Sequence, residues 1–594
     1  MQTDDAQTQT RTAYSEVSAS TVFAPPVLER SHLQKMGQPF DWNLPENLNI
    51  GYLICGRWAE TQPQRDALLH LDAAHQLQKW SYGELDDAAR RLATGFKQLG
   101  LKAGDRIALM LPQAPETIIS HVASAYCETI ALPLFSLFGQ EALRFRLHDS
   151  ATSCVVTDAD GLAKLTPILD RCPAIKHILL ISSDEGENST ADSEHRQVPV
   201  HDFHRFIAEQ EALAEYPQTH KDTPAVMIYT SGTTGSAKGA VHAHRFLIGH
   251  LPNIEISHHG LPQPDDVAWT PADWAWIGGL MDLAMPALFY GVPLIAYRMR
   301  KFDPAEAFKL IADFQIKNMF LPPPALKLMY HYALENQLPP NLNIRSVASG
   351  GEALPAALTH WAKTELGVMI NEIYGQTECN LVICTNRAHE PCPDWFMRRA
   401  VTGHELAILD ADAQPLPADT VGQIAVRAAH AVTFLGYWQQ PEKTAEKVAG
   451  KWLLTGDLGL CDAQGNFKFI SRDDDVISSA GYRIGPTEIE NCLLSHPSVS
   501  NAAVIGLDDE LRGQAITAIL IASSEHKTDA EQQAVEQALT DQVRTQLSPH
   551  MVPRHLFWAE ELPMTTTGKI MRNQLRHIYQ QKLNNSDRMT GNNR

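Results

Sequence analysis

The sequence predicts an α/β protein with a large N-terminal part of parallel-rich sheets and helices, then a β-rich subdomain, then a small α+β unit at the C-terminus. Three observations predict it. Short apolar runs alternate with helical stretches from Arg106 onward, the pattern of a largely parallel sheet covered by helices. From Val421 the texture changes to short strands and hairpins, and beyond Arg472 strand, helix and strand return. At 594 residues the chain is too long for one ordinary core, so two or more domains are expected.

Residues 1–40 are polar and without periodicity, which predicts a loosely held arm. Arg106 to Leu111 reads as a strand, followed after Pro112 by a helix through Ile118, Val122 and Tyr126. Cys154 to Thr157 and His177 to Ile181 repeat the strand signal around a helical Leu162 to Leu169. The acidic, Ser-rich stretch from Asp184 to Glu194 reads as a solvated loop. Ala225 to Tyr229 reads as a short buried strand that delivers the next loop to a sheet edge, and Val241 to Leu251 as a helix. Gly278 to Tyr297 is the most membrane-like stretch. Asp282, Pro286, Gly291 and Pro293 interrupt it, so a buried helix and strand are expected and no membrane span. Asn318 to Leu321 and Arg345 to Ala348 are further strands. Gln423 to Arg427, and Asn466 to Ser471 after a turn at Gly465, belong to the β-rich subdomain. Ala502 to Gly506, Ala515 to Ala522, the helical Ala530 to Leu547, and His555 to Trp558 suffice for a compact unit of their own.

Composition narrows the function. Apolar content of 44% and charge of 20% are those of a soluble globular protein. Lys+Arg 49 against Asp+Glu 69 leaves a net charge of -20, which argues against nucleic acid as a partner and leaves room for a local basic pocket. Nine cysteines with no CxxC pair point to reduced thiols. The polar, acid-containing first twenty residues lack the apolar core of a secretory signal and differ from an acid-poor, Arg-rich transit peptide. The expected location is therefore cytoplasmic.

One stretch carries chemistry by itself. YTSGTTGSAKG, from Tyr229 to Gly239, follows an apolar run. Gly232 and Gly235 allow backbone N–H groups to converge on phosphate oxygens, and Thr230, Ser231, Thr233, Thr234 and Lys238 add donors and charge. The spacing does not fit a Walker A loop, and on composition alone a flexible surface loop stays open.

Five further stretches settle the reading: SGGEAL from Ser349, YGQTE from Tyr374, TGD from Thr455, RDDDVISSAGYRIGPTEIE from Arg472, and PMTTTGKI from Pro563. With the glycine loop, in this order, they resemble the adenylate-forming superfamily of acyl-CoA synthetases, adenylation domains and luciferases. FLGYWQQPEKTAEK from Phe434 and WLLTGD from Trp452 are similar to acetyl-CoA synthetase-like and medium-chain acyl-CoA synthetases. The resemblance covers the chain from about residue 50. It implies an acyl-CoA synthetase-like fold, with a large domain over residues 41–473 and a small mobile domain over residues 474–594, the hinge at Asp474 and the active site between them.

The implied reaction joins a carboxylic acid to CoA through an acyl-adenylate, releasing pyrophosphate and then AMP. ATP and CoA are co-substrates and Mg²⁺ the cofactor. The resemblance assigns the β- and γ-phosphates to the loop from Thr230 to Lys238, and Mg²⁺ to Glu378 with help from Thr233. Carboxylate and hydroxyl oxygens suit a hard cation. Gly351, Glu352 and Thr377 join the AMP-binding set. Tyr374 is either an aromatic face for adenine or a core tyrosine. Asp457 would accept from both ribose hydroxyls, with Arg472 as a second ribose contact. Lys569 matches the adenylation lysine, an ammonium placed where charge develops in the transition state. Gly481 and Arg483 match the CoA side, which the small domain presents after rotating about Asp474.

Two glycines bear on the acid. Acetyl-CoA synthetases carry a tryptophan where this chain has Gly375, and Gly278 replaces a bulkier neighbour beside Trp276, the aromatic gate. The expectation is more space and an acid larger than acetate, medium-chain or branched aliphatic. An aryl-CoA ligase, and a stand-alone adenylation enzyme loading a carrier protein, are the alternatives, and a homo-oligomer stays open. Cys379, Cys384, His389 and Cys392 have no standard zinc spacing. His242 and His244 read as packing or acyl-pocket residues rather than metal ligands.

Overall fold

Two eight-stranded sheets carry most of the chain in the computed structural model. The structure describes residues 42 and 44–590, except 73, 183–197, 231–236, 353, 389–392, 394–395, 399, 402, 429–430, 473–474, 480–481, 510–511, 524–527 and 566–568. The expected N-terminal arm and the loop from Asp184 to Glu194 lie outside the described residues.

In one large sheet, Arg106–Met110 lies between Ile130–Pro133 and Cys154–Asp158, all parallel. His177–Ile181 and Val200–Asp202 extend it on one side in parallel. On the other side Pro224–Thr230 pairs parallel to Ile130–Pro133, then Lys238–Ala243 and Gly436–Tyr437 follow antiparallel. The second large sheet has the same plan. Its parallel centre comprises Asp66–Leu71, Leu294–Tyr297, Ala268–Trp269, Asn318–Phe320, Ser346–Gly350 and Ile370–Tyr374, and its outer strands Leu77–Ser81 and Ile383–Cys384 pair antiparallel. Strands covered on both faces need no polar alternation, which is why Cys154 to Val156 and Ile178 to Leu180 are unbroken apolar runs.

The helix Phe246–Ser257 and the continuous helical run from Ile277 to Phe289 lie in the core cluster that includes strand residues of both sheets. Every residue from Ile277 to Phe289 is buried, so the membrane-like composition of this stretch reflects burial on all sides. Among the described residues no helix is long and apolar enough to cross a membrane.

One expectation near residue 240 needs correction. Val241 to Ala243 are strand, not helix, and the helix starts at Phe246. Pairing decides this. Lys238–Ala243 runs antiparallel to Pro224–Thr230 with Thr230 opposite Lys238 and Met227 opposite Val241, and neighbours alternate faces, Ala240 into one core and Val241 into another. The glycine loop therefore joins two strands of a hairpin, and Pro224–Thr230 is a buried strand inside the sheet, as expected.

Two five-stranded sheets follow. The first joins Leu406–Leu409, Gly422–Arg427, Trp452–Cys461, Val448–Ala449 and Phe467–Arg472. The second joins Tyr482–Ile484, Ile477–Ser479, Gly513–Ala522, Val499–Asp509 and His555–Trp558. Helices Pro486–Leu494, Asp529–Gln546 and Arg572–Thr590 accompany it. Its two core clusters draw only on residues 477–583, so this unit has a core of its own.

Candidate active site

Adjacent strands bring Asp457 and Arg472 together. Trp452–Cys461 pairs with Phe467–Arg472 so that Asp457 stands opposite Arg472, and Arg472 Nε lies 3.6 Å from Asp457 Oδ1. The Tyr374 hydroxyl, at the end of Ile370–Tyr374, donates to Asp457 Oδ2 at 2.7 Å. Its ring is half-buried against the core. The Thr455 hydroxyl donates to the Ile424 carbonyl at 2.6 Å and accepts from the Asp457 N–H at 3.1 Å. Burial raises the Asp457 carboxyl above the usual range, against the pull of Arg472.

Glu378 is buried in the short turn Thr377–Cys379. Its Oε1 accepts the Tyr437 hydroxyl, and its main-chain carbonyl accepts the Phe434 N–H at 3.0 Å. Among the described residues no donor reaches Oε2. Lys238 Nζ sits 5.0 Å from the centre of the Tyr437 ring, at the foot of the glycine-loop hairpin. Thr230 stands at the other foot, its hydroxyl 3.5 Å from the Lys238 carbonyl. Ser231, Gly232, Thr233, Thr234 and Gly235 lie outside the described residues, as do Asp474 and Gly481. Arg483 is placed in the strand Tyr482–Ile484, its side chain outside the description.

Lys569 comes from the small unit. The Lys569 N–H donates to the Thr565 hydroxyl at 3.1 Å, and the Thr565 N–H donates to the Lys569 carbonyl at 2.7 Å. Burial and Arg472 lower the Lys569 ammonium below its ordinary range, while Glu352, Asp457 and Glu378 oppose them. Burial raises Glu352 in turn, opposed by Lys327 and Lys569. Gly351 completes the meeting point. Its φ of +97° favours glycine, and a side-chain carbon there would meet the Trp276 ring at 3.4 Å and Lys569 Cε at 3.9 Å. A cleft of about 340 Å³ runs beside Lys569, lined by Lys327, Glu352 and Arg472 of the large unit and Glu490 and Arg572 of the small one.

The two glycines expected to widen the acyl pocket do not face open space. A side-chain carbon on Gly278 would lie 2.8 Å from the Trp276 ring, so the indole occupies the freed room. One on Gly375 would lie 2.4 Å from the Leu381 nitrogen and 3.0 Å from Asn380 main-chain atoms. Trp276 itself is half-buried, its ring centre 5.6 Å from that of Phe320. His242 and His244 are fully buried, the first stacked on Phe246 and the second accepting the Ile50 N–H at 3.0 Å. Among the described residues no cluster of His, Cys, Asp or Glu could hold a metal ion by itself. His389 and Cys392 lie outside the described residues.

Sequence reasoning missed Tyr437, Thr455 and Arg572 as partners of these groups. Tyr437 and Thr455 stand within stretches singled out for the resemblance, but which side chain they touch depends on strand pairing.

Comparison with known proteins gives concordant matches. A family model described as AMP-binding enzyme matches residues 55–438, and one described as AMP-binding enzyme C-terminal domain matches residues 488–569. The Homo sapiens protein named acyl-coenzyme A synthetase ACSM4, mitochondrial, is 30% identical over 546 residues, 90% of this chain and 91% of its own. Its Homo sapiens relative ACSM1, also named mitochondrial, is 29% identical over 574 residues, 93% of this chain and 95% of its own. An anthranilate CoA ligase solved with anthranoyl-AMP superposes with a TM-score of 0.81 at 24% identity, covering 91% of this chain and 99% of that one. An acyl-CoA synthetase of Brucella canis has a TM-score of 0.68 at 27% identity, covering 96% and 99%.

Proposed function

Because the chain belongs to the AMP-binding enzyme family, we propose that its residues divide the work of an acyl-CoA synthetase as follows. The enzyme is an AMP-forming acid–CoA ligase. An oxygen of the substrate carboxylate attacks the α-phosphorus of ATP and pyrophosphate leaves. The CoA sulfur then attacks the acyl carbon, AMP leaves, and the thiol proton is released. Adenylation turns a poor acyl donor into one with a good leaving group.

Lys569 supplies positive charge to the first step, and the observation that carries this reading is its ammonium among Glu352, Asp457 and Glu378. Asp457, braced by Tyr374 and Arg472, accepts from the ribose hydroxyls. The hairpin loop between Thr230 and Lys238 holds the terminal phosphates. Gly351, Glu352 and Thr377 border the nucleotide.

Glu378 fits a hard divalent cation, since one carboxylate oxygen is taken by Tyr437 and the other meets no donor among the described residues. Mg²⁺ held there, with Thr233, would neutralise triphosphate charge. For the second step, residues 474–594 turn about Asp474 and bring Gly481 and Arg483 to CoA. ATP–pyrophosphate exchange dependent on an added acid, followed by CoA-dependent AMP release across acids of increasing length and benzoate, tests the whole scheme. No exchange with any acid would overturn it.

The acid is larger than acetate, medium-chain or branched. The likeness of the stretches at Phe434 and Trp452 to medium-chain acyl-CoA synthetases supports this reading, since the room at Gly278 and Gly375 is filled. An indole at position 375 has no room here, so the wall of the acyl pocket falls to Trp276. Trp276→Gly should shift preference toward longer acids by on the order of 10- to 100-fold in relative kcat/KM, as one to a few methylenes allow. An unchanged length profile would remove Trp276 from the pocket. We place the enzyme in the cytoplasm on its free cysteines, and cell fractionation checks this.

A further inference from the structure

We propose that Arg572 is a positioning residue for adenylation, one that fixes the turn carrying Lys569 to the root of the small unit. The inference rests on the reading of Lys569 given above. Arg572 opens the helix Arg572–Thr590, three residues after Lys569. Its Nη2 donates to both oxygens of Glu490 at 2.8 Å, and its Nη1 lies 3.4 Å from Asp475 Oδ2. The other oxygen of Asp475 accepts from Arg576 Nη2 at 2.8 Å. Glu490 Oε1 also accepts the Val504 N–H at 2.8 Å.

One guanidinium thus joins four parts of the small unit. These are the last helix, the helix Pro486–Leu494, the strand Val499–Asp509 through Glu490, and the first residue after Asp474. The side chains are largely withdrawn from water, Glu490 to 9% exposure and Asp475 to 13%. A planar guanidinium that reaches Glu490 through Nη2 and Asp475 through Nη1 makes a two-pronged contact that sets direction as well as distance. On the other side of Lys569, the Met571 N–H donates to the Pro563 carbonyl at 2.8 Å and Met564 bridges Ile570. The lysine therefore sits in a turn closed at its base and clamped at its exit by Arg572. The same clamp holds Asp475, the residue that follows the proposed hinge, so Lys569 and Asp475 belong to one body.

An ammonium displaced by about 1 Å from a developing charge costs on the order of 10²-fold. Arg572→Ala should therefore lower kcat for acyl-adenylate formation by roughly 10- to 100-fold with little change in KM for ATP or acid. Thioester formation from preformed acyl-adenylate should stay within about 3-fold of the parent, because in the proposed scheme the small unit turns about Asp474 before that step and carries Lys569 away with it. Arg572→Lys, which keeps charge and loses the two-pronged contact, should fall between them. A parallel Lys569→Ala arm separates the two claims. If Lys569→Ala loses adenylation and both Arg572 variants keep it, the clamp is wrong and the lysine reading stands. If Lys569→Ala keeps adenylation, the lysine reading itself fails. A soluble Arg572→Lys protein in which both half-reactions fall together would make Arg572 a structural residue and overturn the proposal.

Discussion

Lys569→Ala lowers acyl-adenylate formation by on the order of 10²- to 10³-fold, the usual loss when a group aimed at developing charge is removed. Thioester formation from preformed adenylate is spared. The expectation follows from position. The ammonium lies in a cleft formed by both units, among three carboxylates that keep it charged and one arginine that repels it. A pH profile checks the same assignment. Burial and Arg472 lower the Lys569 pKa, so its neutral form appears at a lower pH than for a solvated lysine. Only the charged form stabilises the transition state, so adenylation should decline on the alkaline side below the ordinary lysine range, and thioester formation should show no such limb. Equal loss in both half-reactions, or a shared alkaline limb, would contradict the role.

Glu378→Gln should reduce ATP–pyrophosphate exchange by about 10²-fold, with partial recovery at raised Mg²⁺. The substitution keeps the shape of the side chain and its hydrogen bond from Tyr437, and it removes the charge a hard cation requires. Tyr437→Phe is the matched control. It takes away the hydroxyl and leaves the carboxylate, so its Mg²⁺ dependence should stay near that of the parent. A Glu378→Gln enzyme with unaltered Mg²⁺ dependence would remove Glu378 from the cation site.

Much of the fold was legible because burial on both faces writes itself into composition. The run from His177 to Ile181 is strand over the residues expected, and the buried stretch from Ile277 read correctly as helix followed by strand. The region after the glycine loop was misread for the converse reason. Val241 to Leu251 mixes apolar residues with His242, His244, Arg245 and His250, and so short a stretch has the same look in a strand as in a buried helix. Only the pairing of Lys238 with Thr230 and Tyr437 with Ala240 separates the two.

The candidate site divides along the same line. Asp457, Glu378 and Lys569 were legible as chemical types in distinctive local stretches, and so were the family and the two-step reaction they imply. Their partners were not. Tyr374 reaches Asp457 across 83 residues, and Tyr437 reaches Glu378 across 59, distances in sequence that local pattern does not encode. Glycines showed the sharpest contrast. At Gly278 and Gly375 the sequence established only that a side chain is missing. The tertiary structure decided what fills the place, an indole in one case and main chain in the other. Sequence determines which groups are present and what chemistry they can perform. Packing at close-packed density decides which of them meet and where any space is left.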